Sequence, residues 1–159
     1  MKTLGFFATL LLLTIAAVAQ PAAQPPKMFA SAADVDALIA KAKADHKPSQ
    51  PLIAQRILQL APYNVNLEYR TSVGPASIHE KEAELFFVID GSATLVTGGK
   101  LTEEKRTNPE NLSGNGIEGG ESRQIAKGDY IIVPENTAHW FSKIDGTLIL
   151  MSLHVPRSK

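Results

Sequence analysis

Ile78-His79-Glu80-Lys81-Glu82-Ala83-Glu84-Leu85-Phe86-Phe87-Val88-Ile89-Asp90-Gly91 (IHEKEAELFFVIDG, residues 78–91) places an acidic, turn-like run directly before a continuous apolar stretch that stops at Asp-Gly. Leu85 to Ile89 is aromatic and β-branched, which predicts a strand, and Asp90-Gly91 after it is a hairpin signal. Side chains two apart on a strand share a face, so His79 points the same way as Ser77. A short turn over Glu80 to Ala83 lets the chain reverse, so that Glu84 begins the next strand near His79. A second stretch, GDYIIVPENTAHW (residues 128–140), carries His139, which shares a face with Phe141. Two imidazoles and one carboxylate form a donor set that leaves coordination positions open on a metal. The chain has four histidines in all, so two in such patterned stretches carry weight. The same three residues also suit a pair of solvated or core histidines beside a surface glutamate.

Working outward, the rest of the chain reads mostly as β. Val65, Leu67 and Tyr69 alternate with Asn66, Glu68 and Arg70, the pattern of a half-buried strand. Further strands are expected at Ala93–Val96, Ser122–Ile125, Tyr130–Val133, Ala138–Ile144 and Thr147–Val155, with Asp145-Gly146 joining the last two as a hairpin. Lys100 to Gly120 is polar and glycine-rich and reads as a long excursion with turns, and Asn111-Leu112-Ser113 within it matches a glycosylation sequon. Pro51 to Ala61 is compatible with either helix or strand. The clear helix is Ser31 to about His46. Ser31 and Asp34 form a capping-box pattern, Val35, Leu38, Ile39 and Ala42 make one apolar stripe, and Pro48 ends the run. His46 sits among the lysines of its last turn, where positive charge suits the helix dipole, so it is not expected to be a ligand. Short strands punctuated by glycine turns indicate an all-β sandwich or barrel.

Composition narrows the function. Met1 to Ala19 has a lysine followed by an apolar run and Ala17-Val18-Ala19, the form of a secretory signal peptide cleaved before Gln20. Residues 20–30 follow as a Pro- and Ala-rich flexible leader, 31–48 as the helix and 49–159 as the barrel. Cleavage would remove one lysine, turning 16 basic and 16 acidic residues into 15 and 16, a net charge near −1. That balance offers nothing to nucleic acid or to an anionic membrane surface. With no cysteine, the fold has no disulfide support. A periplasmic or secreted location is expected.

The two blocks carry a family resemblance. Ser77-Ile78-His79, four residues, Glu84, six residues and Gly91 resemble the first motif of the cupins, in which a glycine and five residues precede His-x-His. Gly128, Pro134 and His139 fall at the offsets of the second, Gly-x5-Pro-x-Gly-x2-His-x3-Asn. The resemblance spans roughly Val65 to Val155 and implies a double-stranded β-helix, or jelly-roll barrel, with one N-terminal helix. It also implies a divalent transition metal (iron, manganese, zinc or nickel) held by His79, Glu84 and His139. The departures are informative. Thr71 and Ser77 replace the leading glycine and first histidine of motif one, and Asn136 and Lys143 replace the last glycine and the asparagine of motif two. Ser77 is then a weak fourth position.

Other pocket candidates come from the strands themselves. On the last strand Leu148 and Leu150 share a face with Ser152 and His154, while Ile149, Met151, Leu153 and Val155 form a wholly apolar one. The polar pair would line the pocket mouth, with His154 an acid–base group, a replacement ligand or simply a hydrogen-bonded terminal-strand histidine. Arg70 shares a face with Glu68 and suits a substrate carboxylate or a surface ion pair. Phe86 and Phe141 are expected as apolar walls. The expected function is a small-molecule enzyme of dioxygenase or isomerase type using the metal; the alternative is a non-catalytic ligand- or metal-binding module. The expected partners are a small molecule and a second copy of the chain, paired through the sheets and the apolar stripe of the helix.

Overall fold

The computed structural model describes residues 25–157; the expected signal peptide and the first five residues of the leader lie outside them. One helix, α1 (Ala32–Asp45), precedes thirteen strands: β1 (Leu52–Leu60), β2 (Tyr63–Arg70), β3 (Ala76–His79), β4 (Glu82–Asp90), β5 (Ser92–Thr97) and β6 (Lys100–Thr102). Then follow β7 (Lys105–Asn108), β8 (Asn111–Gly114), β9 (Gly116–Glu118), β10 (Glu121–Ala126), β11 (Tyr130–Val133), β12 (His139–Ile144) and β13 (Leu148–Pro156). They form a five-stranded sheet in the order β1-β2-β13-β4-β11, a six-stranded sheet β10-β5-β12-β3-β8-β7, and a ribbon β6-β9. This is a jelly-roll barrel with one N-terminal helix, as expected. The ambiguous stretch after α1 is the strand β1.

Both Asp-Gly pairs correct the sequence reading. They are not hairpins, because β4 and β5 lie in different sheets, as do β12 and β13. They are corners at which the chain crosses between sheets, and the two corners pack on each other. Gly91 (φ +85°) sits so close to the second corner that a Cβ there would lie 1.9 Å from the Thr147 carbonyl oxygen. Strand chemistry alone cannot separate these cases, since a tight left-handed turn serves either. Lys100 to Gly120 also holds more structure than expected: four short strands, of which β8 pairs with β3 and so extends the six-stranded sheet.

The alternation along β13 explains the two cores. Leu148 and Leu150 face inward with Phe86, Val88, Leu95 and Phe141, all nearly inaccessible, and fill the space between the sheets. Ile149, Leu67, Tyr69 and Ile57 face the other way, where Ala42 and the stripe Val35, Leu38 and Ile39 of α1 cover them. An antiparallel sheet usually shows one face to water; here α1 takes part of that role, which is why both faces of β13 are apolar. Ser31 caps α1 as predicted, accepting from the Asp34 amide at 3.2 Å while the Asp34 carboxylate takes the Ser31 amide at 2.8 Å. His46 ties the helix end to β2 through Thr71 Oγ1 at 2.7 Å and the Gln50 carbonyl at 3.1 Å, away from the other three histidines.

Candidate metal centre

The inward faces of the two sheets meet at a cluster to which each contributes two ligand-type side chains. His79 on β3 and His139 on β12 come from the six-stranded sheet, where β12 runs between β3 and β5. Glu84 on β4 and His154 on β13 come from the five-stranded sheet, directly opposite each other in register. Two local features place them. The turn after His79 is held by the Glu80 amide bonding to the Glu110 carbonyl at 2.9 Å and by the Arg157 amide bonding to that of Lys81 at 3.0 Å. The loop before His139 is anchored by the Asn136 amide, which donates to the His79 carbonyl at 2.7 Å. Asn136 adopts φ +55°, the left-handed region that glycine favours and asparagine tolerates best among other residues. Its departure from the second motif therefore keeps the backbone that the motif's glycine would supply.

Glu84 is buried and is the hub. Its Oε2 lies 3.2 Å from His79 Nε2 and 3.1 Å from His139 Nε2, and its Oε1 lies 3.3 Å from His154 Nε2. Ligand atoms of His79, Glu84 and His154 all fall within 4.8 Å of one another. Donors held ~2.1 Å from a common ion at angles of ~90–110° stand ~3.0–3.4 Å apart, a range that the three distances to Glu84 fall in; His139 stands outside the three-residue donor group and meets it through Glu84 Oε2.

The far sides of the rings are also spoken for. His79 Nδ1 meets Asn111 Oδ1 at 2.8 Å, and His139 Nδ1 meets the Thr137 carbonyl at 3.3 Å. His154 Nδ1 is buried; Glu82 Oε2 approaches to 3.0 Å without completing a hydrogen bond. Oxygens of these kinds only accept, so Nδ1 of His79 and of His139 donates to them and Nε2 is turned toward Glu84, where an ion would take the place of any proton shared with the carboxylate.

The electrostatics follow. Burial works against charge on Glu84, but the three imidazoles around it hold its carboxyl far below the usual carboxylate range. For His79, burial opposes protonation and the Glu84 carboxylate outweighs it, so its pKa is raised. His154 is also raised, first by Glu84, against the cost of burial, with Glu82 and Glu68 adding to the effect.

Of the three residues expected from sequence, His79 and Glu84 share the donor group with His154 of the last strand, and His139 reaches it through Glu84 Oε2 at 3.1 Å. Ser77 stands opposite His139 in register, with no side-chain hydrogen bond among the described residues. Arg70 corrects the expectation of a surface pair. Its Nε and Nη2 both lie 2.8 Å from Glu68 Oε2 in the barrel interior, Ser152 donates to Glu68 Oε1 at 2.8 Å, and the guanidinium stacks 4.7 Å from the Phe141 ring centre. Phe86 lies beneath the cluster, its ring centre 6.1 Å from that of His139. Lys143 is an exposed partner of Asp145 at 2.6 Å. Sequence reasoning missed Asn111 and Glu82, because nothing local tells a turn-region amide or acid that it will face a histidine.

The family model described as Cupin matches residues 49–154. The chain belongs to the cupin family. No curated protein matches its sequence. Among solved structures, this cupin is similar to BH2720 of Bacillus halodurans, at 14% identity and TM-score 0.54 over 84% of this chain and 85% of that one. It is also similar to KdgF from Halomonas sp., at 15% identity and TM-score 0.51 over 71% of this chain and 87% of that one. The cupin domain of Schizosaccharomyces pombe Cnp3 aligns at 12% identity and TM-score 0.51, covering 72% of each chain. At such identities these likenesses speak for the fold alone.

Proposed function

We propose that this cupin binds one divalent transition metal through His79, Glu84, His139 and His154 and uses it to act on a small organic molecule. The observation that carries the reading is the convergence of three imidazole Nε2 atoms on one buried carboxylate at 3.1–3.3 Å. Two acceptors behind the rings support it. A metal so held supplies Lewis acidity toward an oxygen ligand, or a site for dioxygen if it is iron. The protein residues hold the donors in place, and the apolar floor of Phe86 and Phe141 limits the water around them. Isomerase-type and dioxygenase-type chemistry both fit this arrangement, and the donor set does not select one metal. The test is metal analysis of untagged protein. About one equivalent of a transition metal, as purified or after reconstitution, is expected; under a tenth of an equivalent in both sinks the reading. Turnover of a panel of hydroxy acids, sugars and diketones by the loaded protein then separates an enzyme from a non-catalytic binding module.

The proposed macromolecular partner is a second copy of the chain. α1 spends its stripe on its own sheet, so the free surface is the rest of that sheet's outer face. There Leu58, Leu60, Tyr63, Val65, Phe87 and Leu153 run on to Tyr130 and Ile132, which are 73% and 63% exposed. At ~200 Å² for a large side chain, these expose roughly 500–750 Å², somewhat under one subunit's share of a standard interface. A secreted or periplasmic location remains part of the proposal; sequencing the mature N-terminus tests it, with Gln20 expected first.

A further inference from the structure

We propose that Asn111 is the positioning residue that holds His79 in its metal-binding form, an inference that rests on the metal-centre reading above. Asn111 belongs to neither cupin motif block. It comes from the polar excursion, on β8, whose register with β3 pairs Ala76 with Gly114, Ser77 with Ser113, Ile78 with Leu112 and His79 with Asn111. The register is enforced from outside the site. At Gly114 a Cβ would lie 2.6 Å from the Thr102 carbonyl oxygen and 3.0 Å from Leu101 Cβ, so only glycine lets the β6 side of the excursion close over β8. Thr107 Oγ1 donates to the Asn111 carbonyl at 3.2 Å from the other side, across β7.

The chemistry is directional. An amide oxygen has no proton to give, so the 2.8 Å contact of Asn111 Oδ1 with His79 Nδ1 requires the proton on Nδ1. Nε2 is then the nitrogen left to an ion, which takes the place of any proton shared there with Glu84. Remove the acceptor and the proton has a better site at Nε2, where Glu84 Oε2 waits 3.2 Å away. The imidazole then presents a proton where it should present a lone pair, and metal binding must first displace it. His139 relies on a main-chain carbonyl for the same task, so Asn111 is the position where the acceptor is a removable side chain. The sequon at Asn111 thus has a structural use that needs no glycan.

The experiment compares Asn111→Leu, which keeps the shape and loses the acceptor, with Asn111→Asp, which keeps the acceptor. In metal-free protein, ¹H–¹⁵N spectra of the imidazoles should show an Nδ1-bound proton on His79 in wild type and Asn111→Asp, and lose it in Asn111→Leu. Zinc affinity, by competition with a chromophoric chelator, should fall ~10–100-fold in Asn111→Leu and be kept or tightened in Asn111→Asp. Wild-type zinc affinity in Asn111→Leu, or equal loss in both variants, overturns the assignment, the second because only packing would then matter. If wild type takes up no zinc, the metal-centre reading fails by itself. The Nδ1 proton of His79 still decides the role of Asn111, and its absence from wild type overturns it.

Discussion

Replacing His154 by alanine is the sharpest test of how the centre is built. Its Nε2 lies 3.3 Å from Glu84 Oε1, inside the same small cluster of donor atoms as His79. Structural zinc in small proteins is worth ~10–16 kcal/mol over four ligands, or ~2.5–4 kcal/mol per ligand if shared evenly. Losing one imidazole should therefore weaken zinc binding on the order of 100- to 1000-fold. Ser77→Ala should leave affinity unchanged, since no side-chain bond of Ser77 is present to lose. The assay is zinc competition with a chelator at pH 7.5, with circular dichroism and thermal unfolding of each metal-free variant as fold controls. His154 is only half-buried, so the His154→Ala variant should fold. If folded His154→Ala binds zinc like wild type, or Ser77→Ala weakens it tenfold, the four-donor arrangement is wrong. In that case the fourth position belongs to Ser77 or to solvent.

Three other expectations are open to direct measurement. Gly91→Ala forces a Cβ to 1.9 Å from Thr147 O at φ +85°, whereas Gly98→Ala meets nothing within 4 Å at φ +75°. Gly98→Ala should cost ~1–2 kcal/mol from its backbone alone and Gly91→Ala clearly more; equal losses in urea titrations would contradict the packed corners. The metal-free cluster also dictates a pH window. Glu84 has a depressed pKa, so its contribution is present above its ordinary value of 4.5 and fades as pH falls through the folded value. His79 and His154 are raised, so theirs is complete below the ordinary value of 6.5 and fades as pH climbs through their folded values. With chelator present, the urea midpoint should peak between these limits; a midpoint still rising from pH 6 to pH 8 would count against the ion cluster. Light scattering should give twice the chain mass for wild type and a monomer for Ile132→Glu, with metal content unchanged; a wild-type monomer at 100 μM removes the sheet-face dimer.

Much of this was legible in the sequence because it rests on short-range pattern. The capping box of α1, the strand alternation and the spacings inside each motif block, His79 to Glu84 and Gly91 in one and Gly128 to Pro134 and His139 in the other, are each read from a short run of residues. What escaped was set by distant pairing. Asp90-Gly91 and Asp145-Gly146 have the chemistry of hairpin turns, and only the division of strands between two sheets makes them corners. His154 reads as an acid–base group, a replacement ligand or a terminal-strand histidine until β13 is seen opposite β4. Arg70 and Glu68 read as surface residues because charge suggests exposure, yet they satisfy each other with Ser152 inside the barrel, where an unpaired charge would be costly. Asn111 is invisible from sequence because the register of β8 on β3 depends on glycine-permitted contacts from β6.

The strand order β1-β2-β13-β4-β11 has a consequence for the timing of assembly. β13 lies between β2 and β4, two elements that precede it by scores of residues, so the five-stranded sheet closes only when this late segment slots into its middle. The same event delivers His154 to Glu84. Barrel closure and completion of the proposed centre are therefore one step, and a chain folded only as far as β12 would offer an incoming ion an unfinished grip. Metal uptake should then lag behind sheet closure in a refolding reaction, reporting the finished fold rather than nucleating it.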